Sequence, residues 1–219
     1  MSLKHLQPFQ VDPDRVTHQE IAKLVDKISA NSKVSEIQGV FDRNISLCAY
    51  LLKYAYIEYD EIYFLSTSLI LSDNNRPDYL CGCYHHRRGI DWYAIVLAGP
   101  QDQTWDDNLQ LTTVAKQSFE RLNFCTHNLP RILVNEQLIE AVDPEQIHGL
   151  LIIGQDREFF RNPVKQDRKR DINQNSSVKL RTYGAFLRMF RKYKHQNSLT
   201  NKIKNLLDRS KKPASSNLK

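Results

Sequence analysis

A chain of 219 residues with 41% hydrophobic and 26% charged side chains has the length and balance of one full-sized globular domain. No apolar run approaches the roughly 18 residues that a membrane-spanning helix needs, so no membrane partner is expected. The opening MSLKHLQPFQVDPD lacks the apolar core of a secretory signal, which predicts a cytoplasmic protein whose four cysteines, Cys48, Cys81, Cys83 and Cys125, form no disulfide framework.

In chain order, Thr17-His-Gln-Glu20 reads as a capping box, and Ile21, Leu24, Val25 and Ile28 follow at helical spacing. A second helix is predicted from Ser35, with Ile37, Val40 and Phe41 on its apolar side, and a bend near Asp42-Arg43-Asn44 before Cys48, Leu51 and Leu52. From Tyr54 to Leu71 the content of Tyr, Ile, Phe and Thr favours strand, and Ser72 to Asn75 reads as a turn. Residues 78–85 and 90–98 form a predicted hairpin across His86-Arg87-Arg88-Gly89. A helix is expected over 111–124, a short buried strand over 150–153, a polar segment carrying residues 165–170, a strand over 178–183 and a helix over 184–193. Residues 1–195 then make a single α/β domain with an N-terminal helical extension, its central mixed sheet flanked by helices. Residues 196–219 carry a basic amphipathic helix over 198–209 and a tail expected to be disordered.

The most informative stretch is RPDYLCGCYHHRRGIDWYAIVLAGP, residues 76–100. It resembles the central hairpin of PD-(D/E)xK nucleases, in which the Asp after the proline holds Mg²⁺ and an acid-x-Lys on the next strand supplies a second carboxylate and a cation. At that place the chain reads Ala94-Ile95-Val96-Leu97-Ala98, with neither acid nor lysine.

Further motifs narrow the resemblance. Ser35-Glu36-Ile37-Gln38, Arg76-Pro77-Asp78-Tyr79, Ala115-Lys116-Gln117, Leu151-Ile152-Ile153-Gly154 and Lys179-Leu180-Arg181-Thr182-Tyr183 with Phe186-Leu187 occur in the order of the C-terminal domain of the Shedu family of anti-phage defence nucleases, which the chain resembles from about Glu36 to Tyr193. The resemblance implies a restriction-endonuclease-like core in which Glu36, Asp78 and Gln117 occupy the catalytic positions and Asp78 is the metal position. Aligning Pro100 with the family's strand-closing proline puts Val96 at the glutamate and Ala98 at the lysine.

Phosphodiester hydrolysis needs an activated water and compensation of charge on the phosphate, which carboxylate-held Mg²⁺ supplies. With both groups replaced by apolar side chains, the expectation is a catalytically degenerate, cofactor-free protein that binds nucleic acid or a defence partner. One alternative is an active Mg²⁺-dependent DNA endonuclease with relocated groups, Lys116 and Glu120 lying one helical turn apart and joining Glu36, Asp78 and Gln117. Another is a protein-interaction subunit, paired with another protein or a second copy of the chain, that does not bind nucleic acid.

Cys81, Cys83 and His85 alternate on one strand face and invite comparison with a zinc site completed by Cys125 or His127, but the spacing fits no standard zinc module, and a buried cysteine pair is the reading adopted. The charge is unevenly spread: residues 157–219 hold 18 Lys or Arg against 4 Asp or Glu, a net of +14, while residues 1–156 have a net of −8. Phosphate contacts from such a region give affinity without sequence preference. The candidate contacts are Arg87 and Arg88 at the hairpin tip, Lys165, Arg168, Lys169 and Arg170, and Arg188, Arg191 and Lys192 on the final helix. Trp92 and Trp105 are assigned to the core.

Overall fold

The structure, a computed structural model, describes residues 4–65, 76–135, 143–160 and 162–188. Its centre is a six-stranded mixed sheet with the strands in chain order: β1 (Gln10–Val11), β2 (Glu61–Leu65), β3 (Tyr79–His85), β4 (Gly89–Leu97), β5 (Ile147–Ile152) and β6 (Val178–Arg181). The first four strands pair antiparallel, and β4, β5 and β6 run parallel. Helices α1 (His18–Ser29), α2 (Val34–Arg43) and α3 (Ile45–Ala55) precede β2. Helix α4 (Thr113–Asn135) crosses from β4 to β5, and α5 (Arg157–Phe160) and α6 (Pro163–Asn175) from β5 to β6.

Alternation along the strands divides the core between the two faces of the sheet. Tyr79, Cys81, Cys83, Ile95, Leu97, Leu150 and Ile152 pack with Ile21, Leu24, Ile28, Ile37, Phe41 and Leu51 of the first three helices. On the other face Ala94, Val96, Ala98, Leu151 and Ile153 cluster with Ala115, Leu122 and Cys125 of α4, and Leu80, Trp92 and Ile147 cluster with Leu129 and Leu133 farther along the same helix. Trp92 and Trp105 are buried, as the sequence predicts.

The capping box at Thr17 is formed as read, with the Glu20 carboxylate accepting from the Thr17 backbone N–H at 2.8 Å. Asn44, at φ −149 and ψ 88, leaves the helical conformation between α2 and α3 and makes the expected bend. Gly89, at φ +84, closes the hairpin turn. Gly154, at φ +62, lies so near the Asp102 carbonyl that a Cβ there would stand 2.4 Å from the oxygen, a place only glycine fills.

Several boundaries differ from expectation. Helix α3 runs to Ala55, so β2 starts at Glu61, not Tyr54; the expected extension to Leu71 lies outside the described residues. Helix α4 continues through Pro130 to Asn135, because Leu122, Cys125, Leu129 and Leu133 carry one buried stripe past the proline. Residues 165–170, read only as a polar segment, are helical: the Asn162 side chain caps α6 by accepting from the Lys165 N–H at 3.1 Å, and Pro163 starts it. Residues 183–188 are helical, and the expected helix over 198–209 falls outside the described residues.

The outer edge of β6 is closed by a side chain. Asn173 Oδ1 accepts from the Leu180 N–H at 2.7 Å, and Asn173 Nδ2 donates to the Leu180 carbonyl at 3.3 Å. No helix among the described residues is long and apolar enough to cross a membrane.

Candidate functional site

The β3–β4 register brings Asp78 beside the strand that carries Val96 and leads into Ala98. Tyr79 pairs with Ile95, and the Asp78 N–H donates to the Ile95 carbonyl at 2.8 Å. Both carboxylate oxygens are engaged: Oδ2 accepts from the Leu97 N–H at 2.6 Å and Oδ1 from the Arg121 guanidinium of α4 at 3.0 Å. Arg121 also donates to the Arg76 carbonyl at 2.7 Å, so the cation is fixed by the chain segment that presents Asp78. The site opens into a recess of about 340 Å³ lined by Gln38, Asp42, Arg76, Pro77, Asp78, Tyr79 and Arg121. From α2, Asp42 accepts from the Tyr79 hydroxyl at 2.9 Å.

The residues the sequence placed here are only partly gathered. Asp78 is at the recess, whereas Glu36 stands outside it, paired with Lys27 on the exposed surface of α1 and α2. That bond from Lys27 holds the Glu36 carboxyl below its ordinary range. The i, i+4 pair Gln38 and Asp42, one helical turn apart, lines the recess instead. Lys116, Gln117 and Glu120 are exposed on α4 and do not line it, so the relocated acid and cation set is not assembled around Asp78. Val96 and Ala98 are buried in the α4-side core. Arg121 was missed: it lies one turn after Gln117 on the same helix, and nothing local in the sequence reports its pairing with Asp78.

As an electrostatic arrangement, Asp78 is neutralised. A divalent cation at this carboxylate has to displace Arg121, and the other carboxylate at the recess, Asp42, is engaged by Tyr79. Among the described residues no three His, Cys, Asp or Glu side chains converge as metal donors. Cys81 and Cys83 share a face, as alternation requires, but lie buried beside Cys48 in the core, and burial pushes the Cys83 thiol well above its ordinary value. That is the buried pair, not a thiolate site.

The basic candidates are mostly tied to partners within the chain. Lys165 is the clearest correction: its ammonium is buried, donates to the Trp105 carbonyl at 2.7 Å and sits 3.7 Å from Glu158, so it is not presented to a phosphate. Arg168 donates to the Leu109 carbonyl, Arg170 pairs with Asp167 at 3.1 Å, and Arg188 pairs with Asp156. Lys169 lies 4.2 Å from the centre of the Phe159 ring, and burial, helped by Arg181, pushes its ammonium down to about 8. Arg87 and Arg88 are exposed at the hairpin tip, and Arg191 and Lys192 lie outside the described residues.

At the other end of β4 a second polar cluster forms that the sequence reading passed over. Asp91, 9% exposed, faces His85 of β3 at 3.4 Å, Arg88 of the turn at 4.0 Å and His148 of β5 at 4.0 Å. Burial lowers the His148 imidazole below its usual 6.5; Asp91 opposes that shift, while Lys179 and Arg88 reinforce it. The depressed folded value means that the unfolded chain protonates His148 first as pH falls. This residue's contribution to stability is therefore complete above about pH 6.5 and declines below it, toward the folded value. The urea midpoint is expected to drop between about pH 7.5 and about pH 5.5, and His148→Gln to flatten that drop; an equally steep drop in the variant refutes the assignment.

No protein-family model matches the chain, and no curated protein matches it.

Proposed function

We propose that this chain is a catalytically silent relative of the Shedu-type PD-(D/E)xK nucleases, one that keeps the nuclease-like core and holds nucleic acid through its basic C-terminal third without cutting it. The observation that carries the reading is Arg121: its guanidinium occupies the Asp78 carboxylate where a catalytic metal is required. The order α2 and α3, then β2, β3 and β4, then α4 and β5, supports the restriction-endonuclease-like core. Buried Val96 and Ala98 at the acid-x-Lys positions support the loss of chemistry. The net charge of +14 over residues 157–219 supports a polyanionic ligand bound without base reading.

Incubated with plasmid DNA and Mg²⁺ or Mn²⁺, the purified chain is expected to produce no nicked or linear product, while retaining DNA in a gel shift that weakens steeply with added salt. Cleavage that disappears in Asp78→Ala overturns the silent reading. Absence of DNA retention even at low salt overturns the nucleic-acid reading. A protein-interaction role gains support from one observation, the exposed apolar pair Phe160 and Val164, at 69% and 48% accessibility.

A further inference from the structure

His85 Nε2 stands between two groups that make opposite demands on it. An Arg88 guanidinium nitrogen is 3.3 Å away, and Asp91 Oδ2 is 3.4 Å away. A guanidinium has only donors and an ionised carboxylate only acceptors. An unprotonated Nε2 accepts from Arg88 and leaves Asp91 to the Arg88 charge at 4.0 Å. A protonated Nε2 donates to Asp91 and confronts the Arg88 donors with a like charge. The nitrogen satisfies one neighbour at a time.

The surroundings decide which neighbour moves. Asp91 is buried on β4, whereas the Arg88 side chain is 66% exposed. The Arg88 backbone stays in place, its N–H donating to the His85 carbonyl at 3.3 Å and its carbonyl accepting from Gln146 at 3.1 Å. The other groups around His85 are Cys83 of β3, His148 of β5, Lys179 of β6 acting on His148, and Glu58, Tyr59, Asp60, His86 and Arg87 around the adjoining recess of about 470 Å³. Asp60 is committed to the His86 N–H at 2.8 Å. Arg87 and Arg88 both line that recess.

We propose that the β3–β4 hairpin tip is a binding site for a phosphate-type oxyanion, formed by Arg87 and Arg88, in which protonation of His85 releases Arg88 from Asp91 and completes the site. The proposal rests on the hairpin geometry alone and stands whether or not the C-terminal third holds nucleic acid.

The test uses sulfate, whose charge is constant over the range in which imidazoles titrate, roughly pH 5 to 8, and is run in His86→Gln so that the exposed imidazole does not contribute. Going from about pH 8 to about pH 5.5, sulfate affinity read from the Arg87 and Arg88 side-chain NMR signals is expected to rise about three- to fivefold. The rise is expected to vanish in His85→Gln/His86→Gln, whose amide oxygen keeps accepting from Arg88 at every pH. A short oligothymidylate run in parallel identifies the source: the same rise means a nucleic-acid backbone, and a rise with sulfate alone means a free phosphate. No rise with sulfate in His86→Gln, or an undiminished rise in the double variant, overturns the proposal. A ¹⁵N spectrum of the wild-type chain gives a check independent of variants. A proton on His85 Nε2 at about pH 8 overturns the mechanism, and an unprotonated Nε2 with an ordered Arg88 guanidinium supports it.

Discussion

Lys165→Ala is expected to lower the unfolding free energy by about 3–5 kcal/mol, the usual consequence of removing one partner from a buried ion pair. The Lys165 and Glu158 side chains are 8% and 5% exposed. Glu158 accepts from the Thr104 and Trp105 backbone N–H groups at 3.0 Å, and Lys165 donates to the Trp105 carbonyl at 2.7 Å. Truncating the lysine strands a buried carboxylate and a carbonyl together. Replacing both charges with apolar groups offers no escape here, because the two N–H groups then lose their acceptor. Urea unfolding monitored by Trp fluorescence reads the loss directly. Arg170→Ala, by contrast, is expected to change stability by no more than about 0.5 kcal/mol, since its pair with Asp167 is exposed. A loss below about 1 kcal/mol for Lys165→Ala contradicts the buried-pair assignment.

The second large effect concerns the two positions that the proposed nuclease relationship aligns with acid-x-Lys. Val96→Glu with Ala98→Lys writes that motif into the chain, yet both positions are almost fully buried in the apolar cluster with Leu122, Cys125 and Leu151. A carboxylate there costs several kcal/mol even after relaxation, and Arg121 already occupies Asp78. The expected outcome is a chain that loses its cooperative thermal transition and gains no Mg²⁺-dependent cleavage. A double variant as stable as the parent that nicks plasmid with Mg²⁺ refutes the view that this face is committed to packing.

What the sequence discloses follows the range of the interaction. The capping box at Thr17 and the hairpin across residues 86–89 depend on neighbours within a few positions, and they form where expected. Helix α6 was invisible because its one buried residue is a lysine, Lys165, and only Ile172 of this helix packs against the apolar cluster, so the apolar period is absent. The candidate site was legible at Asp78, which a local motif marks, and illegible at Arg121, 43 residues away, because no periodicity reports a pairing between elements. Glu36 was singled out by the resemblance of Ser35-Glu36-Ile37-Gln38 to a family motif, whereas helical geometry brings Gln38 and Asp42 to the recess. A basic stretch likewise does not reveal which of its cations are spent inside the molecule, as Lys165 and Arg168 are.

The Asn173 amide on Leu180 also bears on how one copy meets another. A terminal strand ordinarily offers its outward N–H and C=O groups to any extended chain that approaches. At β6 both outward groups of Leu180 are already bonded to a carboxamide that stands in for the peptide of a further strand. An incoming segment has to evict that side chain before it can bond Leu180, so growth of the sheet from molecule to molecule is discouraged at the middle of this border by one residue of the preceding helix.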